Sequence, residues 1–144
     1  MVLHLQKLSV GSESIETLAN WQRHVVRKRR DRGLSPFHEH VTRMFPRRKD
    51  EILAGGSIYW VIKGQIQCRN AIVALEEVTR RDGVKACSIL MEPRLIPVVP
   101  TPKRPFQGWR YLKDEDAPKD LVAIEGAAEL PSDLRLKLVN LGAW

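Results

Sequence analysis

The stretch GGSIYWVIKGQIQCRNAIVALEEV, residues 55–78, most constrains what this chain can become. It is the longest run in which apolar and β-branched residues dominate without a proline, and two glycines open it. Residues of this kind fit a pleated, half-buried surface. The run therefore reads as a central hairpin or a long bent strand, with the rest of the chain packed around it. Gly64 interrupts the pattern, and a glycine inside a strand marks a bulge or a turn. Strand alternation puts Tyr59, Val61 and Lys63 on one face and Trp60 and Ile62 on the other. Trp60, Ile62, Ile72 and Val73 are expected inside, and Tyr59 with Lys63 outside.

The flanks supply the other layer. Residues 2–9 alternate weakly and read as a short strand. Ser12 and Ser14 offer capping oxygens, and Glu13 and Glu16 suit the positive end of a helix. Ile15, Leu18, Gln22 and Val25, joined by Ala19 and Val26, then recur at three- and four-residue spacing. A helix over about 14–30 follows, ending in Arg27-Lys28-Arg29-Arg30, with Gly33 as its stop and Trp21 at the edge of the stripe. EHVTRMF, 39–45, reads as a strand. Pro46 suits the first turn of a short helix, RRKDEIL, closed by Gly55-Gly56. Asp82-Gly83 is a two-residue hairpin signal joining the strand that ends at Val78 to VKACSILM, with Cys87 opposite Val78.

Five prolines between 93 and 105 specify an extended surface segment, and PFQGWRYL after it reads as a strand. An acidic loop follows, 120–130 is ambiguous, and Pro131-Ser132-Asp133 caps a last helix bearing Leu134, Leu138 and Leu141. Strands clustered between terminal helices give an α+β class. The expected architecture is a small, mainly antiparallel curled sheet or barrel with flanking N- and C-terminal helices, in a single domain over 1–144.

Charge separates along this frame. Between Trp21 and Lys49 ten Lys/Arg stand against Asp31 and Glu39, while Lys113 to Asp133 holds seven acids against two lysines. A basic front half implies a polyanionic partner or contact with the acidic tail. No run reaches the length of a membrane helix, and the N-terminus has neither a basic start nor a long apolar core, so a cytoplasmic location is expected. Cys68 and Cys87 both lie in apolar stretches and read as buried reduced thiols.

Candidate chemistry centres on cations interleaved with rings. Arg43, Arg47, Arg48, Lys63, Arg69, Arg104 and Arg110 supply charge for phosphate, and Tyr59, Trp109 and Tyr111 supply flat faces on which bases stack. Trp109 and Tyr111 share a strand face opposite Arg110. His38-Glu39-His40 places two histidines on one face but shows no third ligand, so no metal is assigned and a loop or surface role is expected. His40-Val41-Thr42 is a single HxT unit where cyclic-phosphate chemistry uses two. Glu76 and Glu77 point to opposite faces and read as a hairpin-end salt bridge beside Arg80-Arg81. Neither a phosphate loop nor a nucleophile elbow is present, and no cofactor is assigned.

Three strings, HVTRMFPRR at 40–48, GGSIYWVIKGQIQCRNAI at 55–72 and RPFQGWRYL at 104–112, resemble a bacterial family catalogued only as a domain of unknown function. The resemblance runs nearly end to end and implies no reaction. More distantly, the helix-glycine-strand-hairpin order is similar to the PUA/ASCH/EVE group of small RNA-binding and modified-base-reading barrels, without that group's motifs intact. Together these readings make the chain an RNA-binding or modified-base-binding module rather than an enzyme. The alternatives are a small hydrolase or nucleic-acid-processing enzyme using His40, and an interaction subunit docking on an acidic partner or ribosome.

Overall fold

The computed structural model describes residues 2–121. The helix expected near 131–142 and nearly all of 120–130 lie outside them. The chain runs β1 (Leu3–Leu8), α1 (Ile15–Asp31), β2 (His38–Thr42), α2 (Lys49–Leu53), β3 (Ser57–Ile62), β4 (Gln65–Thr79), β5 (Lys85–Met91), β6 (Ile96–Pro102) and β7 (Trp109–Lys113). A 3-10 turn, Asp114–Asp116, follows. The class is α+β, as the element order implies.

The strands form one mixed sheet in the order β2-β5-β4-β3-β1-β7, with β6 also paired to β4. Among the described residues only β1 and β3 run parallel; the other pairings are antiparallel. β4 is the backbone of the arrangement. Its first half pairs with β3 and β6 and its second half with β5. The register shifts at Trp60/Val61, Ile66/Cys68 and Ile72/Ala74, and each such irregularity bends the strand and adds twist. The sheet therefore curls without closing. Side chains bridge the gap between its edges: Trp109 Nε1–H donates to Met44 O at 2.7 Å, and the Arg48 N–H donates to Tyr111 Oη at 3.2 Å.

The 55–78 run is both hairpin and bent strand. Lys63 (φ 50°) and Gly64 (φ 77°) form its two-residue turn, with both residues in the left-handed region that a primed hairpin turn requires. The second hairpin differs from expectation. The Arg80 N–H donates to Val84 O, leaving Arg81-Asp82-Gly83 at the tip, and Gly83 takes the positive φ. That extra tip residue sets Cys87 opposite Glu77, one position from the expected Val78.

Inside the curl, Leu3, Leu5, Ile58, Trp60, Ile62, Ile72, Leu75, Ile89 and Met91 pack with Leu18 of α1 and Ile52 of α2. The helix starts at a capping box in which Ser14 and Thr17 exchange side-chain and backbone bonds. It buries Leu18, Gln22 and Val26. Asn70 anchors it to the sheet. Asn70 Oδ1 accepts from Gln22 Nε2 (2.9 Å) and Trp60 Nε1 (2.8 Å), while its Nδ2 donates to Gln22 Oε1 (3.0 Å) and Glu92 O (2.9 Å). Gly56 seals the turn after α2, where a Cβ would stand 2.2 Å from Leu3 O and 2.6 Å from Ile52 O.

Two burial expectations fail. Val73 is 39% exposed because the Ile72/Ala74 shift turns it outward. Tyr59 is 4% exposed because the outer face carries its own apolar cluster, Tyr59, Val61, Ile66, Val98 and Leu112. The sheet is buried on both faces there, so its alternation does not separate core from solvent.

Candidate nucleic-acid interface

Four paired strands lay a row across the inner face: Trp109 beside Lys7, Lys7 beside Trp60, and Trp60 beside Cys68. Paired residues share a face, so Lys7 is flanked by two indoles. Its ammonium has no ion pair among the described residues, and burial holds its pKa below the ordinary lysine value. β2 crosses over this row. The His40 ring meets Trp60 edge to face, with centroids 5.4 Å apart at 90°. His40 Nε2 is buried without a partner, as is His38 Nδ1.

Both imidazoles are held neutral. Burial pushes His38 down to about 4, with Glu39 opposing and Arg29 reinforcing the shift. Burial also pushes His40 down to about 4, assisted by Lys7 and then His38. The expected loop or surface role for these histidines is overturned, because β2 turns their side chains into the curl. Glu39 points away, accepting from Ser88 Oγ at 2.6 Å and lying 3.7 Å from Arg29. It cannot serve His40 as a catalytic partner. No metal-holding group of three His, Cys, Asp or Glu occurs among the described residues.

The segment joining β2 to α2 forms the rim. Trp109 and Tyr111 pack edge to face at 4.9 Å, and the bonds to Met44 and Arg48 lay the basic segment beside them. Arg43 and Arg47 are exposed. Arg48 binds Glu51 through two nitrogens and stands 5.7 Å from the Tyr111 ring centroid. Half-burial leaves Trp109 and Tyr111 in reach of solvent.

The remaining predicted residues do not join this group. Lys63 lies at the β3–β4 tip, beside Lys103, whose N–H donates to Gly64 O at 2.8 Å. Arg110 occupies the opposite face of β7, 5.0 Å from the Phe106 ring centroid, and Arg104 is exposed on the loop before it. Tyr59 is buried and presents no stacking face. Arg69 is bound bidentately by Asp120, at 2.8 Å for each bond, and donates to Ser57 Oγ at 2.7 Å. The hydrogen bond from Arg69 holds the Asp120 carboxyl below its usual range.

Arg69 lines an outer cleft of about 630 Å³ with His4, Ser57, Tyr59, Asp114 and Lys119. The Ser57–His4–Asp114 grouping there resembles a nucleophile triad but is wired otherwise. His4 Nδ1 accepts the Ser57 backbone N–H (3.0 Å), its Nε2 meets Asp114 Oδ1 (2.7 Å), and Ser57 Oγ is engaged by Arg69. No imidazole nitrogen is left to take the serine proton. The cysteines are equally inert: burial pushes Cys68 up to about 12 and Cys87 up to about 11.

Sequence reasoning missed Lys7 as a site residue, although one signal was available. In LHLQKL a lysine takes the third place of the alternation begun by the inward Leu3 and Leu5.

A family model described as "Protein of unknown function (DUF1489)" matches residues 5–144. The chain belongs to the DUF1489 family. No curated protein and no solved structure matches it. The site residues of this DUF1489 protein therefore take their roles from geometry alone. No helix among its described residues is long and apolar enough to cross a membrane.

Proposed function

We propose that this DUF1489 protein is a cytoplasmic RNA-binding module, akin in mode to the PUA-type barrels, that engages single-stranded or modified-base RNA at the inner mouth of its curled sheet. One observation carries the reading: a half-exposed Trp109–Tyr111 pair is pinned beside the basic segment of Arg43, Arg47 and Arg48. Cations beside flat rings satisfy the two demands of single-strand binding, neutralising phosphate and stacking bases. Arg43 and Arg47 serve phosphate, since Arg48 is committed to Glu51. Lys63, Arg104 and Arg110 lie elsewhere and extend the basic field rather than the site. The outer-face Arg69, neutralised by Asp120, takes no part.

The test is a titration of labelled single-stranded RNA at several salt concentrations. Expected is a linear fall of log K with log salt, with a slope of about −0.7 per phosphate contacted. Binding that ignores salt, or no binding, would remove the reading.

The hydrolase alternative through His40 has one supporting feature, the adjacency of His40 to Lys7. The supporting acid is missing because Glu39 faces away, and an imidazole titrating near 4 is a weak base at neutral pH.

A further inference from the structure

The inner end of the mouth carries polar nitrogens that no group among the described residues uses. Lys7 sits between Trp60 and Trp109 in the strand register. His40 leans edge-on against the same Trp60 and keeps a buried, unpartnered Nε2. Lys7, His40 and Trp109 are half-buried rather than sealed, and Arg43 and Arg47, a few residues along the chain from His40, are exposed. Glu39, the adjacent carboxylate on β2, is engaged by Ser88 and Arg29. An ammonium offers three donors and no acceptor, and a neutral imidazole bearing its proton on Nε2 adds one more. Buried polar groups are nearly always paired. An unpaired set beside the half-exposed Trp109 ring thus describes the complement of a planar ring with carbonyl oxygens on its edge.

Resting on the RNA-binding reading above, we propose that Lys7 and His40 form a base-reading recess that selects keto bases. Uracil or a guanine-type ring would enter beside the half-exposed Trp109 and accept hydrogen bonds at its carbonyl oxygens. Amino bases would set their exocyclic N–H₂ against these donors and leave both sides unsatisfied. Sites built around unpaired donors discriminate strongly for that reason.

The experiment compares labelled octamers of U with C, and of inosine with A, bound to the full chain at low salt. Each pair exchanges one keto for one amino group, together with the proton on the adjacent ring nitrogen, on an otherwise similar ring. The keto member is expected to bind about tenfold tighter in both pairs, a difference of about 1.4 kcal/mol. Lys7→Met, which keeps the stem and removes the charge, should bring the two members of each pair within about twofold, and Lys7→Arg should restore part of the gap. Lys85→Met, at an exposed position paired with Glu77, controls for the loss of one positive charge and should leave the gap intact. Equal binding of U and C octamers by the unmodified protein overturns the recess while leaving RNA binding standing. Retention of the preference in Lys7→Met overturns the assignment of Lys7. Failure of all four octamers to bind removes both this inference and the function it rests on.

Discussion

At the scale of single residues, Gly56 and the two β2 histidines show how burial constrains a position. A Cβ on Gly56 would collide with two backbone oxygens, Leu3 O and Ile52 O, and backbone cannot swing aside as a flexible side chain can. Gly56→Ala is therefore expected to cost about 3 kcal/mol, the upper end of the overpacking range, read as a lowered midpoint in urea. His38 and His40 have folded values near 4 against an unfolded value of 6.5. A base whose folded pKa is depressed stabilises the fold above its unfolded pKa, and that contribution is lost as pH falls through the window from 6.5 to 4. The pair should account for a few kcal/mol of stability lost across that window. Replacing both by Asn should flatten the unfolding free energy between pH 6.5 and 4; an unchanged pH slope would contradict the burial that sets the shifts.

At the scale of elements, α1 is held by a polar contact within an apolar stripe. Asn70 ties β4 to α1 through Gln22, to β3 through Trp60, and to the β5–β6 connection through Glu92 O. Asn70→Leu would leave the Gln22 amide and the Trp60 N–H buried without partners, at about 1–3 kcal/mol for each unsatisfied group. The loss should appear as early exchange of α1 amides, before those of the β3–β4 ladder. The Ser14 cap is milder: Ser14→Ala should cost about 1 kcal/mol and fray only the first turn. The outer side of α1 has a different character. Trp21 is 54% exposed and stacks on His24 at 5.5 Å, close to the exposed Arg27 and Lys28. A bound RNA long enough to reach it should protect α1 from limited proteolysis, whereas a short oligonucleotide should not.

At the scale of the molecule, β4 brings distant segments together by pairing with two partners along one edge and a third along the other. Its bend lets β2 and the basic segment after it swing across β1 and β7, and that crossing assembles the candidate interface from residues 7, 40–48, 60 and 109–111. Arginines that look equivalent in sequence are thereby made unequal. Arg43→Gln and Arg47→Gln should each reduce the slope of log K against log salt by about 0.7, the value for one single-strand phosphate contact. Arg48→Gln, removing a cation already bound to Glu51, should change the slope less. Equal slopes for all three variants would show that the segment does not lie along the bound strand as the structure arranges it.

The sequence by itself determined the local choices. The proline-free run had to be extended, Gly64 had to interrupt it with a bulge or a turn, Ser12 or Ser14 had to cap, and the prolines of 93–105 had to keep that segment extended and out of the centre of the sheet, because each follows from backbone chemistry within a few residues. Trp60, Cys68 and Ile72 were legible as core for the same reason, and Trp109 with Tyr111 as sharing a face. Only the tertiary structure decided which face met water. Tyr59 is buried because a second apolar cluster covers the outer face, Val73 is exposed because a register shift rotates it, and Arg69 is neutralised by Asp120, fifty-one residues away. The inner row of Trp109, Lys7 and Trp60 is likewise a product of strand order. Side-chain alternation is a local property of one strand, whereas the neighbour across a ladder is set by long-range pairing, and this chain draws that row from its first, third and seventh strands.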